Sequence, residues 1–330
     1  MMSNTIEITK DDLTRCAEII NKLTNYYSER IVGQNNLKTA LLLAIMANGH
    51  ILLESVPGLA KTTAAKVITD AVAGKFSRVQ CTPDLLPSDI IGTQIFNYSK
   101  NTFETKIGPI YSNFFLLDEI NRSSAKTQSA TLEAMQERQI TIDGIGYKLP
   151  NIFVVIATQN PIEQEGTYIL AEAQLDRFLL KEKIDYPTVN DEVEILKRIE
   201  DKVFDNNASI LKLEDLEFLQ NITDKVYIDD SIKKYVAQIM LATRHPENFL
   251  DKKLADYIDL GSSTRGAISF MQCSKAMALL NSRSHVIPED IKAIRYSVLR
   301  HRISLNFSAI ADDVSVEQII DAIFGAISTP

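Results

Sequence analysis

The sequence predicts an α/β domain, a mostly parallel sheet between helices, followed by a smaller all-α domain. Three observations carry that expectation. Short apolar runs alternate with helix-patterned segments through the first half, strand signals stop after Tyr186-Pro187, and the first strand runs directly into a loop and helix of phosphate-binding composition. The 330 residues are enough for about two domains. With 45% hydrophobic and 24% charged residues, the composition excludes disordered, collagen-like and coiled-coil chains.

Residues 1–28 are expected to form an N-terminal helical segment. From Asn36 to Asn48 the apolar Leu37, Ala40, Leu41, Ala44 and Ile45 recur at helical spacing, and Asn48-Gly49 stops the run. A strand follows at Ile51 to Leu53, then the loop Ser55-Val56-Pro57-Gly58-Leu59-Ala60-Lys61-Thr62, then a helix from Thr63 to Ala73 closed by Gly74. Further strands are read at Phe76 to Gln80, Asn113 to Leu117, Ile152 to Ala157 and Leu179 to Ile184, with a helix from Ala125 to Glu137 among them. Gln139 to Leu149 reads as a hairpin turning at Asp143-Gly144. Beyond Asp191 the pattern is helical: Leu213 to Val226, Ser231 to His245, Arg265 to Ser282 and Pro288 to Arg300. The expected boundaries are therefore an α/β domain over 29–187, an all-α domain over 188–306 and a helical C-terminal tail over 307–330.

Thirty-five Lys and Arg against 43 Asp and Glu give a net charge of −8. That balance counts against a broad nucleic-acid-binding face. Cys16, Cys81 and Cys273 are far apart and lack metal-ligand spacing, so no disulfide framework or zinc site is expected, and a cytoplasmic location fits. The N-terminal residues lack the basic start and apolar run of a secretion signal, and apolar stretches such as Thr39 to Ala47 fall short of the roughly 20 residues of a membrane span. The late cluster Arg295, Arg300, His301 and Arg302 reads as a solvated helix face rather than a binding patch.

A phosphate loop needs a strand, a turn whose backbone N–H groups face anionic oxygens, a Lys for the terminal phosphates and a Ser or Thr hydroxyl for Mg²⁺. Gly58, Lys61 and Thr62 occupy those places, while Ser55 and Ala60 stand where the pattern has its outer glycines. Alone, this segment also reads as an ordinary strand-to-helix turn ending in a solvated Lys. Fifty-seven residues beyond Lys61, the apolar Phe114-Phe115-Leu116-Leu117 runs into Asp118 and Glu119. Alternation at a strand end would let Asp118 support hydrated Mg²⁺ while Glu119 polarises an attacking water; the plain alternative is two acids ending a strand. A third strand ends in Thr158-Gln159-Asn160-Pro161, where Asn160 could orient that water or sense the γ-phosphate, or simply end the strand.

Together these segments resemble the AAA+ ATPases, and within them the MoxR family. The resemblance is carried by Ile31-Val32-Gly33-Gln34, Val56-Pro57-Gly58-Leu59-Ala60-Lys61-Thr62, Leu117-Asp118-Glu119-Ile120-Asn121-Arg122, Lys126-Thr127-Gln128 leading to Leu132 to Glu137, Ala157-Thr158-Gln159-Asn160-Pro161, and Glu172 to Phe178. It implies a P-loop NTPase core with an all-α lid, binding ATP and Mg²⁺. Val32, Gly33, the loop from Val56 to Thr63 and Asp118 would hold the nucleotide, with Thr62 and Asp118 at the metal and Glu119 and Asn160 at the water. Arg177 would be an arginine finger reaching a neighbour's nucleotide, and Arg265, in Gly261-Ser262-Ser263-Thr264-Arg265, the sensor 2 arginine that touches the γ-phosphate; a surface ion pair is the alternative for each. Gln139 to Leu149 resembles the pre-sensor 1 hairpin, and Asp89 to Pro109 the helix 2 insert. The resemblance further implies a ring, a hexamer, that remodels or activates another protein, with partners carrying a von Willebrand factor A domain. A nucleic-acid motor or loader, and a nucleotide-gated scaffold with little turnover, remain the competing readings.

Overall fold

The computed structural model describes residues 8–56, 61–161, 167–200 and 209–330. In chain order its elements are α1 (Lys10–Arg30), α2 (Asn35–Met46), β1 (Ile51–Glu54), α3 (Lys61–Asp70), β2 (Phe76–Gln80), α4 (Pro87–Ile91), β3 (Gly92–Asn97), β4 (Thr102–Ile107), β5 (Phe114–Asp118), α5 (Ala125–Glu137), β6 (Gln139–Ile142), β7 (Ile145–Lys148), β8 (Val154–Gln159), α6 (Glu172–Leu175) and β9 (Leu180–Lys183). After β9 come α7 (Val189–Glu200), α8 (Leu213–Lys225), α9 (Asp230–Arg244), α10 (Lys252–Ala255), β10 (Ile258–Leu260), α11 (Thr264–Leu280), α12 (Pro288–Ala293), α13 (Arg295–Leu299), β11 (Ser304–Leu305), α14 (Phe307–Ala311) and α15 (Val316–Ala326).

Five strands form one parallel sheet in the order β2-β5-β8-β1-β9. Side-chain alternation along the central strands sorts their apolar residues onto two faces. Ile51, Leu53, Phe114, Leu116, Val154 and Ile156 belong to one buried cluster, together with residues of α1, α2, α3, α8, α9 and α11 to α15. Leu52, Phe115, Leu117, Val155 and Ala157 face the other way and pack with Leu132 and Met135 of α5 and Ile140 and Ile142 of β6. Each such fully buried Leu or Phe contributes about 1.5–3 kcal/mol.

The N-terminal helix opens with a capping box, in which Thr9 Oγ1 accepts from Asp12 N and the Asp12 carboxylate accepts from Thr9 N. Its buried stripe, Ile19, Leu23, Tyr26 and Tyr27, shares the first cluster with Leu216 and Leu219 of α8 and Phe270 and Cys273 of α11. One continuous core thus joins the N-terminal helix, the sheet and the lid.

The 139–148 hairpin turns in two residues, with Asp143 at φ 48° and Gly144 at φ 78°, as a primed turn requires. The second excursion is also a hairpin, β3 against β4. The lid is helical and carries one short addition, β10 paired antiparallel with β11; strands of three and two residues leave no alternation to read. Two expectations change. The helix expected over Pro288 to Arg300 breaks at Ile294, whose buried side chain is held in the core where α12 ends and α13 begins. The late basic cluster is not a solvated face: His301 and Arg302 are buried, and Arg300 pairs with Glu182 at 3.3 Å and Glu317 at 3.2 Å, fastening α13 to β9. No described helix is long and apolar enough to cross a membrane.

Candidate functional site

Parallel strands bring the carboxyl ends of β1, β5 and β8 to one edge of the sheet, where α/β folds place ligands. Lys61 and Thr62 open α3 at that edge, with the partial positive charge of the helix start beneath them. Pro57, Gly58, Leu59 and Ala60 lie outside the described residues; Val56 and Thr63 flank them, on the loop and in α3. Lys61 Nζ donates to Ser55 O at 3.0 Å, which turns the side chain back toward the end of β1.

Asp118 ends β5 and is only 4% exposed. Its Oδ1 and Oδ2 each lie 3.3 Å from Thr62 Oγ1, and Thr158 Oγ1 is 3.3 Å from Oδ1. Hard hydroxyl and carboxylate oxygens meeting at the start of a helix are a donor set that fits Mg²⁺. Glu119 does not continue the strand. It turns out at φ 56°, ψ 52°, held by its own N–H donating to Thr158 Oγ1 at 2.9 Å. Left-handed backbone rather than strand alternation therefore separates the two acids. The Glu119 carboxylate accepts from Gln80 Nε2 at 2.8 Å and pairs with Arg122 Nε at 3.2 Å. Asn160 is buried just beyond β8, and its carbonyl accepts from Asn121 Nδ2 at 3.2 Å.

Sequence reasoning missed Arg78 and Gln80. Both project from β2 on the face toward which Asp118 points, Arg78 Nε lies 2.7 Å from Asp118 Oδ2, and Arg78 Nη2 reaches Gln80 Oε1 at 3.4 Å. The period-two pattern of Phe76, Arg78 and Gln80 was the available signal, since two polar side chains follow an apolar one on the same face. Beside them the Cys81 thiol is pushed up to about 12 by burial, which leaves it no nucleophile. At the base of the loop, burial raises Glu54 but Lys181 at 2.6 Å and Gln159 outweigh it, holding the carboxyl below its usual range.

Val32 and Gly33 sit at the same sheet edge. A cavity of about 230 Å³ there is lined by Val32, Gln34, Lys183, Tyr186, Pro187 and Asp191 among others. Gly33 has φ 65°, and a Cβ on it would stand 3.0 Å from the Asp191 carboxyl carbon, so a side chain here would strain the backbone and crowd Asp191.

Arg177 and Arg265 are not brought to this cluster. Both line a cleft at the opposite end of the sheet, with His50 and Arg138. The chain from His50 to Ser55, at roughly 3.3 Å per residue, sets the two ends roughly 17 Å apart. There Arg265 Nη1 faces Asp176 Oδ2 at 3.6 Å and Nη2 donates to Gln136 Oε1 at 3.3 Å, while Arg302 Nε holds the other Asp176 oxygen at 2.8 Å. Ser263 Oγ, the cap of α11, also donates to Asp176, at 2.7 Å. Neither arginine can touch the nucleotide of its own chain in this arrangement.

A five-stranded parallel sheet with this cluster at its carboxyl edge, followed by a helical lid, defines an AAA domain and its lid. Two family models match accordingly, the ATPase family associated with various cellular activities over residues 50–180 and the AAA lid domain over 252–323. Chaperone MoxR1 of Mycobacterium tuberculosis is 42% identical over 301 residues, covering 91% of this chain and 79% of that one. Protein MoxR of Paracoccus denitrificans is 29% identical, covering 91% and 93%. A crystal structure from Cytophaga hutchinsonii, described as that of a candidate ATPase, superimposes with a TM-score of 0.91 at 44% identity, covering 97% of this chain and 98% of that one. The chain belongs to the MoxR family of AAA+ ATPases.

Proposed function

We propose that this protein is a Mg²⁺-dependent ATP hydrolase that works as a ring, a hexamer of like subunits, and remodels or activates a partner protein. The observation that carries the reading is the division of labour across the sheet. Lys61, Thr62, Asp118 and Glu119 collect at one edge and Arg177 and Arg265 at the other, so a complete site needs the second edge of a neighbour. The name Chaperone MoxR1 of the Mycobacterium tuberculosis relative agrees with the remodelling role. A partner with a von Willebrand factor A domain follows from the family resemblance, a cytoplasmic location fits the three widely spaced cysteines, and the net charge of −8 disfavours a nucleic-acid track.

In this reading the base lies in the cavity by Val32 and Gly33, and the phosphates lie over Lys61 and the first turn of α3. Mg²⁺, when bound, draws charge from the phosphate oxygens. Thr62 and Asp118 would hold the metal, Glu119 would orient the attacking water once its carboxylate leaves Gln80 and Arg122, and Asn160 would help fix that water. Arg177 and Arg265 of the neighbouring copy face the developing charge.

Titration calorimetry and a hydrolysis assay test the site. Lys61→Ala removes a charge-assisted phosphate contact worth about 1.5–3 kcal/mol, so ATP affinity drops at least tenfold. Glu119→Gln keeps the shape without the charge; binding survives and turnover collapses. Wild-type affinity in the first variant, or full hydrolysis in the second, removes that residue from its assigned role.

A further inference from the structure

Asp118 is the most enclosed acid of the site, yet its shortest partner is neither of the threonines. Thr62 and Thr158 stand off at 3.3 Å, whereas Arg78 Nε is 2.7 Å from Oδ2. The two partners differ sharply in exposure, 5% for the Asp118 side chain against 50% for Arg78. Arg78 stands on β2, an end strand of the five-stranded sheet, where its side chain is half exposed. A half-exposed guanidinium leaves at little desolvation cost, because water takes over its donors at once. The carboxylate it leaves behind cannot follow it out. Without a cation, that buried charge would keep the long contacts with the Thr62 and Thr158 hydroxyls.

We propose that Arg78 is a positioning residue that competes with Mg²⁺ for Asp118, a resident counter-charge the metal must displace before the nucleotide is gripped. The inference rests on the nucleotide-site reading above. Thr62 Oγ1, which would hold the metal together with Asp118, lies 3.3 Å from the same Oδ2 that Arg78 holds at 2.7 Å, and two cations at one carboxylate repel each other. With the metal absent, Arg78 keeps the carboxylate neutralised and aimed at Thr62. When the metal arrives, Arg78 swings toward solvent and gives up its 3.4 Å contact with Gln80, whose amide also holds Glu119. Metal occupancy at Asp118 and the freedom of Glu119 are thereby linked through one strand.

The competition makes two opposite predictions for Arg78→Ala, which simple loss of structure does not produce. ADP binding is measured by calorimetry on the full chain, first in EDTA and then across a Mg²⁺ series. In EDTA the variant binds ADP more weakly than wild type, because the phosphates then meet an uncompensated Asp118. In the Mg²⁺ series the concentration that half-enhances ADP binding falls at least threefold. Arg78→Lys keeps a cation at the position and stays closer to wild type in both measurements. If Arg78→Ala does not fold, Arg78→Met, which retains the apolar stem, replaces it. A Mg²⁺ midpoint lowered less than threefold or raised, in protein with wild-type thermal stability, overturns the competition while leaving the nucleotide site intact. A wild-type protein that binds no ADP, or binds it without response to Mg²⁺, overturns both.

Discussion

Glu119 and Gly33 show how much of this site rests on single backbone conformations. Glu119 occupies the left-handed region at φ 56°, a conformation that a non-glycine residue holds only when its surroundings fix it; here the Thr158 hydroxyl accepts its N–H and Gln80 and Arg122 take its carboxylate. At the far edge of the sheet His50 is fixed differently. Its Nδ1 accepts from Val155 N at 3.0 Å and its Nε2 donates to Met135 O at 3.2 Å, so the ring is neutral in the fold. Burial, helped by the neighbouring Arg138 guanidinium, lowers its pKa to about 3. His301, equally buried and beside Arg302, is also held well below its usual value. A histidine whose folded pKa is depressed is proton-free in the native chain while the unfolded chain takes the proton up near pH 6.5, so stability present above about pH 6.5 is lost as pH falls toward 3. Denaturant titrations between about pH 6 and pH 4 are expected to show each histidine contributing up to about 1.4 kcal/mol per pH unit. His50→Asn keeps the acceptor for Val155 and flattens that slope; an unchanged slope would mean that His50 is charged in the fold.

Among the elements, the two hairpins are held by different glycine requirements. Gly144 has φ 78° with nothing within 4 Å of a would-be Cβ, whereas Gly92, at φ 115°, would place a Cβ 2.4 Å from Lys106 O. Gly144→Ala is therefore expected to cost about 1 kcal/mol from backbone strain alone, and Gly92→Ala clearly more, since β3 and β4 must also part. Equal losses in equilibrium unfolding would refute the distinction. The legibility of elements follows the same physics. The strands read over Asn113 to Leu117 and Ile51 to Leu53, found at Phe114–Asp118 and Ile51–Glu54, were legible because strands buried on both faces are nearly continuously apolar, and Asp143-Gly144 because its turn needs two positive φ angles. The polar alternation of Arg78 and Gln80 was readable but its place in the site was not, because that depends on which strand lies beside β5. Sheet order is a long-range property that no local pattern contains.

For the whole molecule, the separation of Arg177 from Lys61 turns a catalytic question into one of assembly. An arginine supplied in trans contributes about 10³ to 10⁵ in rate in comparable phosphoryl-transfer systems, so hydrolysis per subunit is expected to rise with protein concentration. Arg177→Ala protein retains an intact Lys61 edge, and Lys61→Ala protein an intact arginine edge. Each alone is expected to be inactive, and mixing them is expected to restore turnover where an intact pair of edges meets. A mixture that stays inactive although mass measurements show mixed oligomers would return Arg177 to a structural role.

The core described above, running from Leu23 and Tyr27 through Ile51 and Leu116 to Phe270 and Ile320, also bears on inheritance. Two family models match two separate stretches of the chain, yet the side chains of both stretches interlock with each other and with a helix that neither model includes. Close-packed interiors tolerate changes in volume poorly when only one of the touching partners changes. A lid acquired by recombination from a distant relative would meet an α1 shaped for another set of neighbours. Lineages carrying this arrangement are therefore expected to pass it on as one block, with crossovers surviving only between chains whose N-terminal helices already match.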